Sequence, residues 1–173
     1  MRIASAVHRP RGLLTGLATL LLFGAAAVAG AEETLIDPTT APRQLIVESL
    51  SAAPTPGSNA GGAALALAVE FELTAAMLTA QGRAILDIVA PLMNDPALLA
   101  ATFIVEGHTD ASGAAQHNVT LSQRRAESVR DYLAAHGVAK ARLSTAGYGS
   151  ARPLPGLSPA DGRNRRVTLV REF

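Results

Sequence analysis

Two oppositely charged side chains, Asp110 and Arg125, stand near a predicted junction between a strand and a helix. The apolar run at residues 103–105 is typical of a buried strand, and Gly107 interrupts it before Asp110. From Leu121 onward, a four-residue spacing that includes Arg125 predicts a helix. Asp110 therefore lies just past the end of a strand, and Arg125 lies one turn into the helix that follows.

This pair of charges has a defined chemistry. An arginine can hold a carboxylate through two parallel hydrogen bonds, and an aspartate can hold an ammonium group. The N–H groups at the start of a helix also attract carboxylates and phosphates. Asp110 and Arg125 therefore suit a ligand that carries both charges close together, such as the end group of an amino acid. The alternative is an internal salt bridge between the two side chains that fixes the loop.

Catalysis and metal binding have weaker support in the same region. His108, Asp110 and Ser112 lie within five positions, which makes a catalytic triad difficult to align, and no Gly-x-Ser-x-Gly motif occurs. His108, Asp110 and His117 give only a weak metal-ligand pattern. The sequence therefore predicts neither an enzyme nor a protein with a metal or other cofactor. We expect His108 to support the loop through a hydrogen bond.

The elements that must position these residues begin near residue 63. The pattern predicts strands at 65–71, 102–106, 142–146 and 166–171, and helices at about 80–93 and from Asn118 or Leu121 to His136. Asn118 is a plausible N-cap, Gly137 suits the position after the helix, and residues 147–149 are expected to end the third strand. This order predicts an α+β fold, a two-layer α/β sandwich, with parallel β-α-β units and an antiparallel last strand in a mixed four-stranded sheet.

Charge and composition exclude several classes of protein. The chain has 15 basic and 14 acidic residues, but residues 1–31 contain three arginines and no acid. Without that segment 12 basic and 14 acidic residues remain, a balance of −2 that gives no reason to expect nucleic acid as a partner. The absence of cysteine excludes disulfide bonds, thiolate metal sites and a lipid-carrying cysteine.

Residues 1–31 are typical of an export signal. A basic front region precedes the apolar stretch 13–28, and Ala29-Gly30-Ala31 offers a cleavage site before Glu32. The alternative is an uncleaved inner-membrane anchor, since 19 residues from Leu13 approach the length of a membrane span. These features predict a protein of the periplasm or one associated with the outer membrane.

Residues 32–62 are predicted to form a flexible leader rich in proline, alanine and glycine. One segment, 44–50, is apolar enough for a short strand. It is either a transiently structured part of the linker, or an added edge strand or a contact for a partner.

Three motifs resemble the OmpA-like C-terminal domain family, which includes outer-membrane protein A, the peptidoglycan-associated lipoprotein and flagellar motor protein B. They are Gly107-His108-Thr109-Asp110, Asn118-x-x-Leu121-Ser122-x-x-Arg125-Ala126 and Asn164-Arg165-Arg166-Val167. The resemblance covers roughly residues 65–173. It implies the sheet order of that fold and the binding of peptidoglycan without cleavage.

The resemblance also implies roles for individual residues. Arg125 would meet the carboxylate, and Asp110 the ammonium, of the free end of diaminopimelate in the peptidoglycan stem peptide. Asn118, Leu121 and Thr109 would shape the same pocket.

Supporting positions follow from the same resemblance. Asn164 and Arg165 would lie beside the ligand loop, and Arg165 could pair with Asp110 or Glu106. Thr74 stands where many members have an aspartate before the first helix, so this chain lacks that charge. The expected partners are peptidoglycan and other envelope proteins. The alternative function is an envelope adaptor that keeps the fold, leaves the pocket idle and docks a partner through residues 44–50.

Overall fold

The computed structural model describes residues 35–52 and 63–172. Within these ranges there are three α-helices and five strands. In chain order they are β1 Leu35–Ile36, α1 Arg43–Ser51, β2 Ala64–Leu67, α2 Ala80–Met93, β3 Thr102–His108, α3 Ala115–Ala135, β4 Leu143–Gly149 and β5 Val167–Glu172. The strands form one sheet in the order β1-β2-β5-β3-β4. The predicted mixed sheet is confirmed, but it has five strands and not four, because β1 adds to its edge.

The pairing directions follow the connections. β3 and β4, joined through α3, are parallel neighbours, as a β-α-β unit requires. The last strand, β5, inserts between β2 and β3 and is antiparallel to both, as predicted for its direction. The core lies between the sheet and the helices, where Phe103, Val105 and Leu169 are fully buried.

Glycines in β3 and β4 let α3 lie directly against the sheet. A Cβ on Gly107 would come within 2.1 Å of the Ser122 carbonyl oxygen, and one on Gly147 within 2.4 Å of the Gln123 backbone nitrogen. The predictions that Gly107 and residues 147–149 end their strands are therefore wrong. These glycines are paired inside the sheet and mark a close approach of two backbones.

The start of α3 also differs from the prediction. The helix begins at Ala115 after Ala114, so Asn118 is not its N-cap but a buried residue in its first turn. The prediction for the other end is confirmed, since Gly137 has φ +96° directly after the capping residue His136.

Residues 43–51 form a helix and not a strand or an unstructured linker. Ile46 and Leu50 lie four residues apart, which places them on one helix face, and both are fully buried. Arg171 of β5 donates hydrogen bonds to the carbonyl oxygens of Leu50 and Ser51, 3.4 and 3.2 Å away, at the helix end. The ordered fold therefore includes part of the predicted leader.

The other N-terminal predictions concern residues outside the described ranges. The predicted signal peptide, residues 1–31, and the leader residues 53–62 both lie there. Within the described ranges, no helix combines the length and apolar character needed to cross a bilayer.

Replacing Leu50 by alanine is expected to lower the free energy of unfolding by about 2–5 kcal/mol, because it removes a buried side chain and leaves a cavity. Urea unfolding followed by circular dichroism measures the change. Leu45→Ala is the matched control, since Leu45 lies on the same helix but is 48% exposed, and its cost should be about 0.5 kcal/mol or less. Equal effects of the two substitutions would show that α1 is not part of the cooperative fold.

Candidate ligand-binding site

Asp110 lies in the loop between β3 and α3 and is only 6% exposed. One carboxylate oxygen accepts a hydrogen bond from the Ser112 backbone N–H at 2.9 Å, and the other accepts one from Nη1 of Arg165 at 2.5 Å. In the described part of the chain, the ion-pair partner of Asp110 is therefore Arg165 and not Arg125. Of the two acids considered for Arg165, the structure pairs it with Asp110.

The same contacts determine the ionisation of Asp110. Burial acts to raise the pKa of the carboxyl group, but the hydrogen bonds from the Ser112 N–H and from Arg165 outweigh it and hold the pKa below its ordinary value. Asp110 is therefore a stable anion at neutral pH.

Arg125 projects from α3 and is half-buried. Its Nε–H donates to the Ala75 carbonyl oxygen at 3.1 Å, and the guanidinium carbon lies 4.9 Å from the centre of the Phe71 ring. Burial and the nearby charge of Arg165 lower the pKa of Arg125, and Asp110 partly offsets this. Among the described residues, neither Nη atom has a hydrogen-bond partner, so both remain able to bind a ligand.

A cavity of about 400 Å³ opens in front of Arg125. Its lining consists of Leu35, Ala68, Val69, Glu70, Phe71, Arg125, Gly162, Arg163 and Arg165. The lining combines apolar residues with three arginines and the carboxylate of Glu70. Asp110 borders this cavity through its bond to Arg165 and is not itself part of the lining.

Sequence reasoning did not identify seven lining residues as part of the site: Leu35, Ala68, Val69, Glu70, Phe71, Gly162 and Arg163. Phe71 had a signal, because it belongs to the period-two pattern of residues 65–71, and so had Arg163, which lies in the same basic run as Arg165. The neighbouring Glu70 had none that distinguishes it from a solvated strand residue. Leu35 had no signal, since it reaches the site only through the pairing of β1 with β2.

Two asparagines predicted for the site hold its loops. The side-chain amide of Asn118 donates to the carbonyl oxygens of Asp110 and Ser112, at 3.2 and 2.8 Å. Asn164 accepts from the Leu154 N–H at 2.8 Å and donates to two carbonyls, one of them that of Pro159. That carbonyl in turn accepts the N–H of Ala111, so the loops before α3 and before β5 are tied together.

Thr109 and His108 are buried beside Asp110. The Thr109 N–H donates to the Gly149 carbonyl at 2.9 Å, while its hydroxyl has no hydrogen-bond partner among the described residues. The ring nitrogens of His108 likewise lack one there, so the predicted supporting hydrogen bond is wrong. Instead the ring stacks on Tyr148 at 5.7 Å, and Nε2 lies 3.6 Å from a carboxylate oxygen of Glu106.

Thr74 and Leu121 do not line the cavity. Thr74 is exposed in the turn between Phe71 and Leu78 and has φ +56°, which is unusual for a β-branched residue. The turn reaches the site through the backbone of Ala75, which accepts the Arg125 bond. Leu121 is half-buried one helical turn before Arg125.

Acid is expected to destabilise the protein through Asp110. Because its folded-state pKa lies below the ordinary 3.8, the stabilisation is present above that value and is lost as the pH falls through the lowered one. Urea unfolding of the wild type and Asp110→Asn at several pH values tests this. The wild type should be more stable at about pH 7, and the difference should shrink toward about pH 3. A difference that does not change with pH would contradict the expectation.

Comparisons with known proteins agree with this architecture. The model of the OmpA family matches residues 70–166. The peptidoglycan-associated lipoprotein of Pasteurella multocida is 41% identical over 88 residues, which are 50% of this chain and 57% of that protein. The chain spans about half the length of the curated relatives it matches.

Two solved structures share the fold. The OmpA-like domain of FopA1 from Francisella tularensis subsp. tularensis SCHU S4 is 25% identical, with a TM-score of 0.54, over 63% of this chain and 71% of that one. The cell wall anchor of the T6SS from Pseudomonas aeruginosa is 26% identical, with a TM-score of 0.50, over 60% and 73% of the two chains.

Proposed function

The chain belongs to the OmpA family, and from that premise we propose that it binds peptidoglycan noncovalently through the free end group of diaminopimelate in the stem peptide. The observation that carries the proposal is the cavity lined by Arg125, whose two Nη groups have no hydrogen-bond partner among the described residues, with the carboxylate of Asp110 at its border, bonded to Arg165. Such an arrangement complements a ligand that carries a carboxylate and an ammonium on the same carbon.

Arg125 receives the carboxylate. Its Nε is already held by the Ala75 carbonyl and its plane lies over Phe71, so the direction of the two Nη atoms is fixed before the ligand arrives. A side chain that is ordered in advance loses less conformational entropy on binding. Burial and then the charge of Arg165 lower the pKa of Arg125, and the ligand carboxylate offsets this neighbouring positive charge.

Asp110 receives the ammonium group by exchange. In the unliganded protein Arg165 neutralises Asp110, but the Arg165 side chain is 58% exposed and can turn away, whereas Asp110 is held by the Ser112 N–H. The ligand ammonium then replaces one guanidinium N–H on the carboxylate. The displaced Arg165 remains in the lining of the cavity.

The remaining walls fit the rest of diaminopimelate. Its methylene chain is apolar, and Val69 and Phe71 offer apolar surface in the same cavity. Asn118 and Asn164 keep the two loops in place and thereby preserve the position of Asp110. No covalent bond forms or breaks, so binding is reversible and tethers the protein to the cell wall.

The proposed binding places the protein in the cell envelope, in the periplasm or at the outer membrane. The alternative of an adaptor that docks a partner through residues 44–50 has less support. Ile46 and Leu50, which would have supplied the apolar contact, are fully buried against the protein's own core.

Calorimetry with meso-diaminopimelate and its two half-analogues tests the proposal. Pimelate lacks both ammonium groups, and pentane-1,5-diamine lacks both carboxylates. We expect saturable binding of diaminopimelate and at least a tenfold weaker response to either analogue, since each retains only one half of the recognition. Equal binding of pimelate would show a plain anion site, and a folded protein that binds none of the three would overturn the proposal.

A further inference from the structure

The cavity is larger and more positively charged than one amino-acid end group requires. Its volume of about 400 Å³ is within the range of sites for drug-sized ligands. Its lining carries the guanidinium groups of Arg125, Arg163 and Arg165 against the single carboxylate of Glu70. The end group, as proposed above, uses Arg125 and Asp110, so Arg163 has no assigned role.

Arg163 is held in place by its own anchor. Its Nε and Nη2 donate to the two carboxylate oxygens of Asp161, at 3.1 and 2.8 Å, and its backbone N–H donates to the same side chain at 2.9 Å. These contacts lower the pKa of Asp161 to about 2, chiefly through the Arg163 side chain, so the anchor stays ionised at neutral pH.

The anchored guanidinium still has donors to offer. Asp161 occupies the Nε–Nη2 edge of the guanidinium group. In the described part of the chain Nη1 of Arg163 has no partner, and because the side chain is 63% exposed, this group is accessible to a ligand. Arg165 is two residues away on the same turn and lies over Gly162, where an added Cβ would come within 2.8 Å of its Nη2. Two guanidinium groups from one short segment therefore line the same wall.

From these contacts we propose that Arg163 is a specificity-determining residue, an inference that rests on the proposed function. Together with Arg165 it forms a second anion subsite that binds another free carboxylate of the stem peptide. The preferred ligand is then a stem-peptide fragment with at least one carboxylate besides that of the diaminopimelate end group. Conversion of such carboxylates to amides weakens binding although the end group is intact.

Two tripeptide probes test this subsite. One is L-alanyl-γ-D-glutamyl-meso-diaminopimelate, and the other is the same peptide with the carboxylates outside the free end group converted to primary amides. Because a hydrogen bond between charged partners contributes about 1.5–3 kcal/mol, the wild type should bind the acid form about 10- to 100-fold more tightly. Arg163→Ala should reduce this preference to about threefold or less and leave the affinity for the amide form unchanged.

The controls separate this subsite from general charge and from the proposed function. Arg124→Ala removes the same charge from an exposed position on α3 and should keep the preference; thermal unfolding confirms that both variants are folded. Equal weakening of both probes by Arg163→Ala, or no preference in the wild type, overturns the second subsite alone. A wild type that binds neither probe overturns the proposed function and this inference with it.

Discussion

Replacing Arg125 by alanine is expected to weaken diaminopimelate binding by about 100-fold or more. Binding this weak is not detectable in an ordinary calorimetric titration. A carboxylate that loses its guanidinium partner in a half-buried site keeps the cost of leaving water and loses the charge-assisted bonds, a difference of about 3–5 kcal/mol. The substitution also removes the bond to Ala75 and the contact with Phe71. The turn at residues 71–75 then loses these two contacts with α3.

Two variants show which property of Arg125 matters. Arg125→Lys keeps the charge but cannot reproduce both the anchor on Ala75 and a two-pronged contact with the ligand. We expect it to lose most of the affinity. Arg124→Ala is the matched control. Arg124 is next to Arg125 in sequence but points about 100° away around α3 and is exposed, so this substitution should leave the affinity unchanged.

Asp110→Asn gives the complementary result. The carboxamide cannot balance an ammonium charge, so diaminopimelate affinity should fall, while pimelate, which has no ammonium, should bind as before or better. Calorimetry on the wild type and on these four variants, Arg125→Ala, Arg125→Lys, Arg124→Ala and Asp110→Asn, decides the matter. If Arg125→Ala bound as tightly as the wild type, Arg165 and Arg163 would have to be the carboxylate partners, and the assignment of Arg125 would be wrong.

Much of the fold was predictable from local patterns. The strand at residues 102–106, the apolar stripe of α2 and the end of α3 at Gly137 depend on periodicity and on backbone preferences that neighbouring residues determine. The failures lie where a contact distant in sequence decides. A glycine is expected to break a strand, but in the structure Gly107 is paired in the sheet. Glycine stands there because α3 lies directly over it and leaves no space for a side chain.

The helix at residues 43–51 is a second case of this kind. Its segment carries apolar residues at positions compatible with either period, whereas the contacts that hold it come from distant parts of the chain: Ile46 and Leu50 are buried in the common core, and Arg171, 120 residues from Ser51, donates to the helix end. The proline, alanine and glycine content of residues 32–62 is typical of a linker and did not indicate these contacts.

The site divides in the same way. The residue types and spacing of Asp110 and Arg125 predicted that Asp110 lies just past a strand and Arg125 one turn into the next helix. Asp110 does lie in the loop between β3 and α3, but α3 begins at Ala115, so Arg125 lies almost three turns into it. The partner of Asp110 was predicted only as one of two alternatives, Arg165 with Asp110 or with Glu106, because Arg165 lies 55 residues away and the position of β5 beside β3 brings it to Asp110. Asn118 was correctly predicted to lie near the site, but its predicted role as N-cap was wrong. From the first turn of α3 its side chain holds the loop before the helix.

Replacing Gly107 by alanine is expected to lower the free energy of unfolding by about 3 kcal/mol or more, at the upper end of overpacking effects. The added methyl group would lie 2.1 Å from the Ser122 carbonyl oxygen, and the neighbouring contacts are with backbone atoms of the same residue. Backbone atoms of a helix cannot rotate aside as a side chain can, so α3 must move away from the sheet. Against a total stability of about 5–15 kcal/mol this is a large fraction.

The consequence extends to binding, because α3 carries Arg125 and β3 leads into Asp110. A shift of the helix changes the distance between these groups, so Gly107→Ala should weaken diaminopimelate binding even under conditions in which the variant is fully folded. Urea unfolding and calorimetry on the same sample measure the two effects. Tight binding by a destabilised variant would show that the separation of helix and sheet does not determine the geometry of the site.

Gly156→Ala separates the steric cause from a conformational one. Gly156 has φ +75° but nothing within 4 Å of an added Cβ, so its substitution costs only the left-handed backbone conformation, about 1–2 kcal/mol. Gly107 has the opposite properties, an ordinary φ and no space. If the two variants were equally stable, the close approach of α3 to β3 would not be what requires glycine at position 107. If Gly107→Ala is the less stable, the glycine of the Gly-His-Thr-Asp motif serves to seat the helix that carries Arg125.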